Sequence, residues 1–123
     1  MVSQLATLAD LNAALEEAGD KLVVIDFFAT WCGPCKMIAP KIEEWASSMD
    51  NVVFVKIDVD ENEEAAQEYN ISAMPTFILI KNKEKVKSAV VLPSTIFGHF
   101  LLQVADLMGA NPDKLKELVD KHA

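Results

Sequence analysis

Three short runs of mostly apolar residues, rich in β-branched and aromatic side chains, constrain the fold of this chain most strongly. The runs are KLVVIDFFA at residues 21–29, NVVFVKIDVD at 51–60 and TFILIKN at 76–82. Runs of this length and composition predict three strands, and the first two should be buried within the sheet. Residues 81–91, KNKEKVKSAVV, follow directly and predict a turn and a fourth strand. These strands form the centre of the predicted domain.

Helices are predicted around these strands, over residues 8–18, 35–49, 61–70 and 112–123. In the last of them Asn111 can cap the helix, Pro112 suits its first position, and the buried stripe consists of Leu115, Leu118 and Val119. Strands that alternate with helices and then follow each other in succession predict an α/β fold. Helices should cover both faces of a central mixed β-sheet.

Length and charge restrict the classes of function that this chain can have. The 123 residues suffice for one domain over residues 1–123, with a core of its own. The net charge is −8 and the eleven basic residues are all lysines, which argues against a nucleic-acid partner, because phosphate recognition favours arginine. The N-terminus has neither a basic n-region nor an apolar h-region. We therefore expect a reducing, cytoplasmic location.

The two cysteines of the chain, Cys32 and Cys35, lie in the stretch FFATWCGPCKMIAP. A zinc site needs about four ligands, and the only histidines, His99 and His122, lie far along the chain. A structural disulfide would be unusual in a reducing compartment. The third interpretation is a reactive dithiol, because the pair follows a buried strand and opens a helix, where the pKa of a thiol falls. Cys32 should then be the outer, more exposed nucleophile, and Cys35 the more buried resolving thiol.

The stretches FFATWCGPCK, VVIDFF, AMPTF and GANPDKLKELVDK resemble the thioredoxin family, and the resemblance covers residues 1–91 and 109–123. It implies the thioredoxin fold and a protein-disulfide reductase in cell redox homeostasis, in which Cys32 attacks a client disulfide and Cys35 releases the reduced client. It also implies that no cofactor is bound. Electrons would come from NADPH through thioredoxin reductase, and clients would include peroxiredoxins and ribonucleotide reductase.

The resemblance assigns roles to further residues. Asp26 resembles the buried acid that exchanges protons with Cys35, and a carboxyl group in an apolar strand should have a raised pKa. A structural acid paired with Lys56 on the neighbouring strand is a second interpretation, and the two can hold together. Pro75 resembles a cis-proline beside the dithiol, preceded by Met74, whose backbone would bind client strands.

The remaining roles concern the surface around the dithiol. Trp31 resembles a surface indole, and Asp60 the acid that orients it. Lys36 would add positive potential near the thiolate, although a simple solvated lysine fits the sequence too. Three more residues complete the expected client-binding set, namely Gly33, Pro34 and Gly109.

Residues 92–108, LPSTIFGHFLLQVADLM, have no counterpart in the family pattern and fall before the last helix. Their apolar side chains predict an amphipathic helix with a stripe formed by Ile96, Phe97, Phe100, Leu101, Val104, Leu107 and Met108. Three accounts stay open: an added helix packed on the domain, a surface for a dimer or another partner, or a product of altered transcript processing that weakens the fold.

The insertion also leaves an alternative function open. It ends directly before Gly109, so the chain could be a thioredoxin-fold interaction module whose client groove is remodelled or masked. A membrane span is not expected, because the uncharged run at 88–105 is shorter than the ~20 residues required and contains Pro93, His99 and Gln103.

Overall fold

The structure is a computed structural model that describes residues 2–91, 108–110 and 112–123. In chain order the elements are β1 (Ser3–Gln4), α1 (Leu8–Ala18), β2 (Leu22–Phe28), α2 (Gly33–Ser48), β3 (Val52–Asp58), α3 (Glu63–Glu68), β4 (Thr76–Lys81), β5 (Glu84–Val91), β6 (Met108–Ala110) and α4 (Pro112–His122). The predicted alternation of strands and helices is confirmed.

The strands form one mixed sheet in the order β1-β3-β2-β4-β5-β6. Strand β2 pairs in parallel with β3 and antiparallel with β4, so it lies inside the sheet. Two edge strands were not predicted: β1, which pairs with β3, and β6, which pairs in parallel with β5. Strands of two or three residues are too short to show an apolar period in the sequence.

Helices cover both faces of this sheet, as predicted. One buried cluster joins side chains of α2 and α4 to alternate residues of the central strands, among them Leu22 and Val24 of β2. The other cluster joins α1 and α3 to the intervening residues, among them Val23, Ile25 and Phe27 of β2. Because successive strand residues point to opposite faces, Asp26 falls on the same side as Leu22 and Val24, which is the side of α2.

The structure corrects one part of the expected insertion. Met108, predicted on the stripe of an amphipathic helix, belongs to β6 and pairs with Ala89. Its backbone extends the sheet by joining β5. The rest of the insertion, residues 92–107, and the predicted cap Asn111 lie outside the described residues.

The last helix matches its predicted stripe. Leu115 and Val119 are fully buried, and Leu118 is nearly so, in the cluster shared with α2. The segment that follows the predicted insertion therefore folds onto the sheet.

The turn between β4 and β5 contains two residues in the left-handed region, Asn82 (φ 55°) and Lys83 (φ 67°). Asparagine tolerates this conformation, whereas a lysine pays for its Cβ there. The Lys83 ammonium also forms an exposed ion pair with Glu16 of α1. Exposed pairs of this kind contribute little to stability.

We therefore expect Lys83→Gly to be more stable than Lys83→Ala by about 1 kcal/mol. Both variants lose the ion pair, so their difference reports the cost of a Cβ at φ 67°, reduced by the greater conformational entropy of glycine in the unfolded chain. Urea unfolding of both variants beside the unaltered chain measures it. Equal midpoints and slopes for the two variants would contradict the expectation.

Candidate active site

The two cysteines lie at the start of α2, directly beyond the end of the central strand β2. Cys32 and Cys35 form a disulfide with their Cα atoms 5.3 Å apart. Cys32 is the N-cap of α2, and its Sγ accepts a hydrogen bond from the Cys35 backbone N–H at 3.2 Å. The unpaired amides and the dipole at a helix N-terminus stabilise a thiolate at this position.

The expected difference in exposure between the two cysteines is wrong. Each is only 5% exposed, and both pack in a small apolar cluster with Ala29, against which Val59 and Met74 also lie. With the sulfurs joined, Cys32 lies in the same apolar surroundings as Cys35. The two thiols differ instead in position, because Cys32 caps the helix and Cys35 lies within it.

Asp26 lies beneath Cys35, on the α2 side of the sheet. A cavity of about 250 Å³ is lined by Asp26, Cys35, Lys36 and Lys56 together with apolar neighbours. The Asp26 side chain is buried, and its Oδ1 atom accepts no hydrogen bond from any described residue. Desolvation raises the pKa of Asp26 from 3.8 to about 7, and the nearby positive charge of Lys56 partly opposes this rise.

Lys56 lies directly opposite Asp26 in the register between β2 and β3. Its ammonium lies 5.8 Å from the centroid of the Phe28 ring, a cation–π contact. Among the described residues Lys56 and Asp26 form no ion pair within 4 Å. Lys56 therefore acts on Asp26 through a longer-range electrostatic interaction. Lys36 is exposed and lies at the same cavity.

The loop before β4 places a second backbone segment against the dithiol. The Met74–Pro75 peptide bond is cis, Pro75 is buried, and Met74 packs on the cysteine cluster. The Thr76 hydroxyl donates a hydrogen bond to the Ala73 carbonyl at 2.5 Å and so closes the loop. Thr76 was not among the predicted site residues, because the sequence pattern does not show which carbonyl a loop hydroxyl will reach.

Gly109 lies level with Thr76, the first residue of β4, when the sheet is crossed at right angles to its strands. Thr76 pairs with Val90, and Val90 pairs with Gly109. Two strand spacings separate Thr76 from Gly109, a distance of about 10 Å. Strand β5 therefore lies between Gly109 and Thr76, the residue that follows Pro75.

Trp31 stands at the surface beside Cys32. Its side chain is 68% exposed, and its Nε1–H donates a hydrogen bond to Asp60 Oδ2 at 3.0 Å. Gly33 is exposed, and a Cβ added there would meet nothing within 4 Å. Pro34 follows, half-buried, in the first turn of α2. The surface over Gly33 is open to an approaching chain.

A larger open cavity of about 650 Å³ adjoins this surface. Val59 and Met74 line it, and both also pack on the cysteine cluster. The cavity continues along α3 past Ala66 to Ile71. Val59 was not among the predicted site residues. Its position as an apolar residue between Asp58 and Asp60 is the signal that could have indicated it.

Among residues 2–91, 108–110 and 112–123, no group of three or more His, Cys, Asp or Glu side chains could hold a metal ion. None of the helices described there is both long and apolar enough to cross a membrane.

Comparison with known proteins decides the family. The sequence profile described as Thioredoxin matches residues 3–96. Thioredoxin-1 of Saccharomyces cerevisiae is 42% identical over 123 residues, which cover all of both chains. The chain belongs to the thioredoxin family.

Two further thioredoxins extend this match. Thioredoxin-2 of Pyricularia oryzae is 46% identical over 118 residues, which cover 96% of this chain but only 57% of that longer relative. The crystal structure of Fasciola hepatica thioredoxin superposes with a TM-score of 0.81 at 42% identity, over 99% of this chain and 100% of that one. The fold expected from the resemblance is therefore the thioredoxin fold observed here.

Membership of the thioredoxin family fixes the class of reaction. Thioredoxins are thiol–disulfide oxidoreductases, and this chain carries their cysteine pair at the active-site spacing. It is a protein-disulfide reductase that works without a prosthetic group. The comparisons do not favour the alternative of an interaction module.

The raised pKa of Asp26 predicts a specific dependence of thioredoxin stability on pH. The folded state favours the protonated carboxyl, so stability is greatest below the unfolded pKa of 3.8. It falls between pH 3.8 and about 7, because Asp26 ionises in the unfolded chain while it stays protonated in the folded one. Above about 7 both states are ionised and stability levels off. The variant Asp26→Ala lacks this cost. Its advantage over the unaltered oxidised chain should grow by about 2 to 3 kcal/mol between pH 5 and pH 8.

Denaturant unfolding of both oxidised chains at several pH values measures this advantage. Between pH 8 and pH 9 the difference should stay constant, which provides an internal control. A difference that does not vary between pH 5 and pH 8 would show that Asp26 ionises in the folded chain as it does in the unfolded one.

Proposed function

We propose that the chain reduces client proteins through attack by Cys32 and resolution by Cys35. The Cys32 thiolate attacks one sulfur of a client disulfide, and the other client sulfur leaves as a thiolate. The Cys35 thiolate then attacks Cys32 Sγ, which forms the Cys32–Cys35 disulfide and releases the second client thiolate. The client gains two electrons, the dithiol loses two, and the client thiolates take up protons.

The observation that carries this order of attack is the hydrogen bond from the Cys35 N–H to Cys32 Sγ at the N-cap of α2. A thiolate on Cys32 would keep this hydrogen bond, which would then become charge-assisted, and it would lie at the positive end of the helix dipole. Cys35, inside the first turn, has no such position. Cys32 is therefore the thiol that ionises first and attacks.

Asp26 is the group that takes the proton from Cys35. Both residues line the same cavity of about 250 Å³, which has room for a water that would carry the proton between them. A carboxyl group with a pKa of about 7 can accept and return a proton near neutral pH. Lys56, across the strand pair, stabilises the carboxylate once it forms.

The client chain binds over the surface between Trp31 and the Met74–Pro75 loop. The exposed indole of Trp31 offers apolar area, and the open surface at Gly33 and Pro34 lets another backbone approach the sulfurs. The backbone of Met74 would pair with an extended client segment. Gly109, which pairs with Val90 of β5, would border the same groove from the far side of that strand. Lys36, which is exposed, would add positive potential beside the thiolate.

The oxidised dithiol must be reduced again for turnover. We assign this step to a thioredoxin reductase that draws electrons from NADPH, with neither NADPH nor any other cofactor bound to this chain. Clients would be proteins with accessible disulfides, such as peroxiredoxins and ribonucleotide reductase. A dithiol kept reduced in this way fits the cytoplasm. We take residues 1–123 to act as one domain.

The assignment of nucleophile and resolving thiol is tested by trapping. With a protein disulfide such as insulin, Cys35→Ser should accumulate a mixed disulfide through Cys32, because nothing resolves it. Cys32→Ser should accumulate far less, since Cys35 lacks the helix-cap position. Non-reducing electrophoresis followed by mass spectrometry identifies the joined cysteines.

The unaltered chain, with thioredoxin reductase and NADPH, serves as the control and should turn insulin over continuously. If Cys32→Ser trapped as much client as Cys35→Ser, the assigned order would have no support. If it trapped more, the roles of the two thiols would be reversed. A silent unaltered chain would count against the whole cycle.

The apolar stripe predicted for residues 96–107 suggests a dimer as a further property of the chain. Sedimentation velocity over a range of concentrations should then show a monomer–dimer equilibrium. The matched control is a chain in which Phe97 and Leu101 are both replaced by Gln, which removes apolar area from the stripe without adding charge. A monomer at all concentrations in both chains would dismiss the dimer.

A further inference from the structure

The turn after β3 determines where the Trp31 indole stands. The carboxylate of Asp60, a residue of this turn, accepts a hydrogen bond from the indole N–H at 3.0 Å. Asp60 is nevertheless exposed. An exposed aspartate would normally sample several rotamers and hold an indole poorly. Something must therefore fix the backbone that carries Asp60.

Asp58 is the residue that fixes it. Its side chain is only 5% exposed, and Oδ1 accepts a hydrogen bond from the Asp60 backbone N–H at 2.9 Å. Its backbone carbonyl accepts hydrogen bonds from the N–H groups of Glu61 at 3.2 Å and Asn62 at 2.9 Å. The hydrogen bond from the Asp60 N–H to the Asp58 side chain makes this an Asx turn, in which an aspartate or asparagine side chain accepts from the backbone N–H two residues further on.

The rest of the turn is anchored on the other side. The Val59 N–H donates to the Phe28 carbonyl at 2.9 Å, and the Val59 side chain packs on the cysteine cluster. Asn62 caps α3 through its Oδ1, which accepts the Ala65 N–H at 3.2 Å. Val59 thus faces the dithiol and Asp60 faces Trp31, while the buried carboxylate of Asp58 links the two.

We propose that Asp58 is a positioning residue for Trp31. It fixes the Asp60 backbone, Asp60 in turn holds the indole beside Cys32, and the fixed indole strengthens the binding of protein disulfides. This inference rests on the client-binding role of Trp31 in the proposed function. The physical gain is pre-organisation, because an indole already held in place loses less conformational entropy when a client binds.

The test separates positioning from a merely structural role. Four variants are compared with the unaltered chain: Asp58→Ala, Asp58→Asn, Asp60→Ala and the double variant Asp58→Ala/Asp60→Ala. Asparagine keeps an oxygen acceptor that can close the same turn, so it is the matched conservative control. Asp58→Glu, whose longer side chain moves the carboxylate, replaces Asp58→Ala if the alanine variant does not fold.

The first readout is solvent exchange of the indole N–H of Trp31, measured by NMR on ¹⁵N-labelled oxidised protein. Trp45, which packs against the core cluster of α2 and α4, gives an internal control in the same spectrum. Loss of one hydrogen bond should speed exchange at Trp31 by about threefold to tenfold in Asp58→Ala and in Asp60→Ala. Exchange at Trp45 should not change.

The second readout is kinetic, with dithiothreitol as the reductant so that no reductase contact enters. The KM for insulin should rise by about threefold to tenfold in the same two variants. Reduction of a small aromatic disulfide, which spans too little surface to use the indole fully, should change by less than about twofold. Asp58→Asn should resemble the unaltered chain in both readouts.

The double variant decides whether the two aspartates act together. If Asp58 works through Asp60, the double variant should be no worse than Asp60→Ala alone. Effects that add, or an Asp58→Ala variant that loses thermal stability while its Trp31 exchange and KM stay unchanged, would overturn the inference. An unaltered chain unable to reduce insulin would instead overturn the proposed function on which it rests.

Discussion

Burial of strand β2 on both faces is the constraint on which the rest of the structure depends. Its residues alternate between two apolar clusters, one completed by α2 and α4 and the other by α1 and α3. Pairing with β3 and β4 leaves it no free edge. A strand held in this way has a fixed end, and that end delivers the chain to Cys32 and the first turn of α2.

The same constraint explains the acid within the core. Alternation along β2 turns Asp26 towards α2, where it meets the cavity below Cys35. A carboxylate at such a position destabilises the fold when it is ionised, and no described residue donates a hydrogen bond to Oδ1. The raised pKa of Asp26 is thus a property of the fold, and the proton transfer that we propose between Cys35 and Asp26 makes use of it.

Two backbone segments outside β2 complete the site, and each is held by one buried polar side chain. Thr76 closes the loop that presents Met74 and Pro75, and Asp58 closes the turn that presents Val59 and Asp60. Both are short-range hydrogen bonds to nearby backbone atoms, made where regular pairing stops. Strand β2 therefore positions the sulfurs, whereas these two loop contacts hold the surface on which we propose that a client binds.

The sequence by itself determined the buried strands, the covering helices, the stripe of α4 and the reactive pair, because apolar periodicity and local spacing are written along the chain. It also pointed to Asp26, since an acid inside an apolar run is conspicuous. Only the tertiary structure decided that Cys32 and Cys35 are equally buried, that Met108 joins the sheet, and that Asp58 and Thr76 hold the loops. Each of these depends on contacts between segments or on the exact closure of a loop. A period of 2 or 3.6 residues carries no information about either.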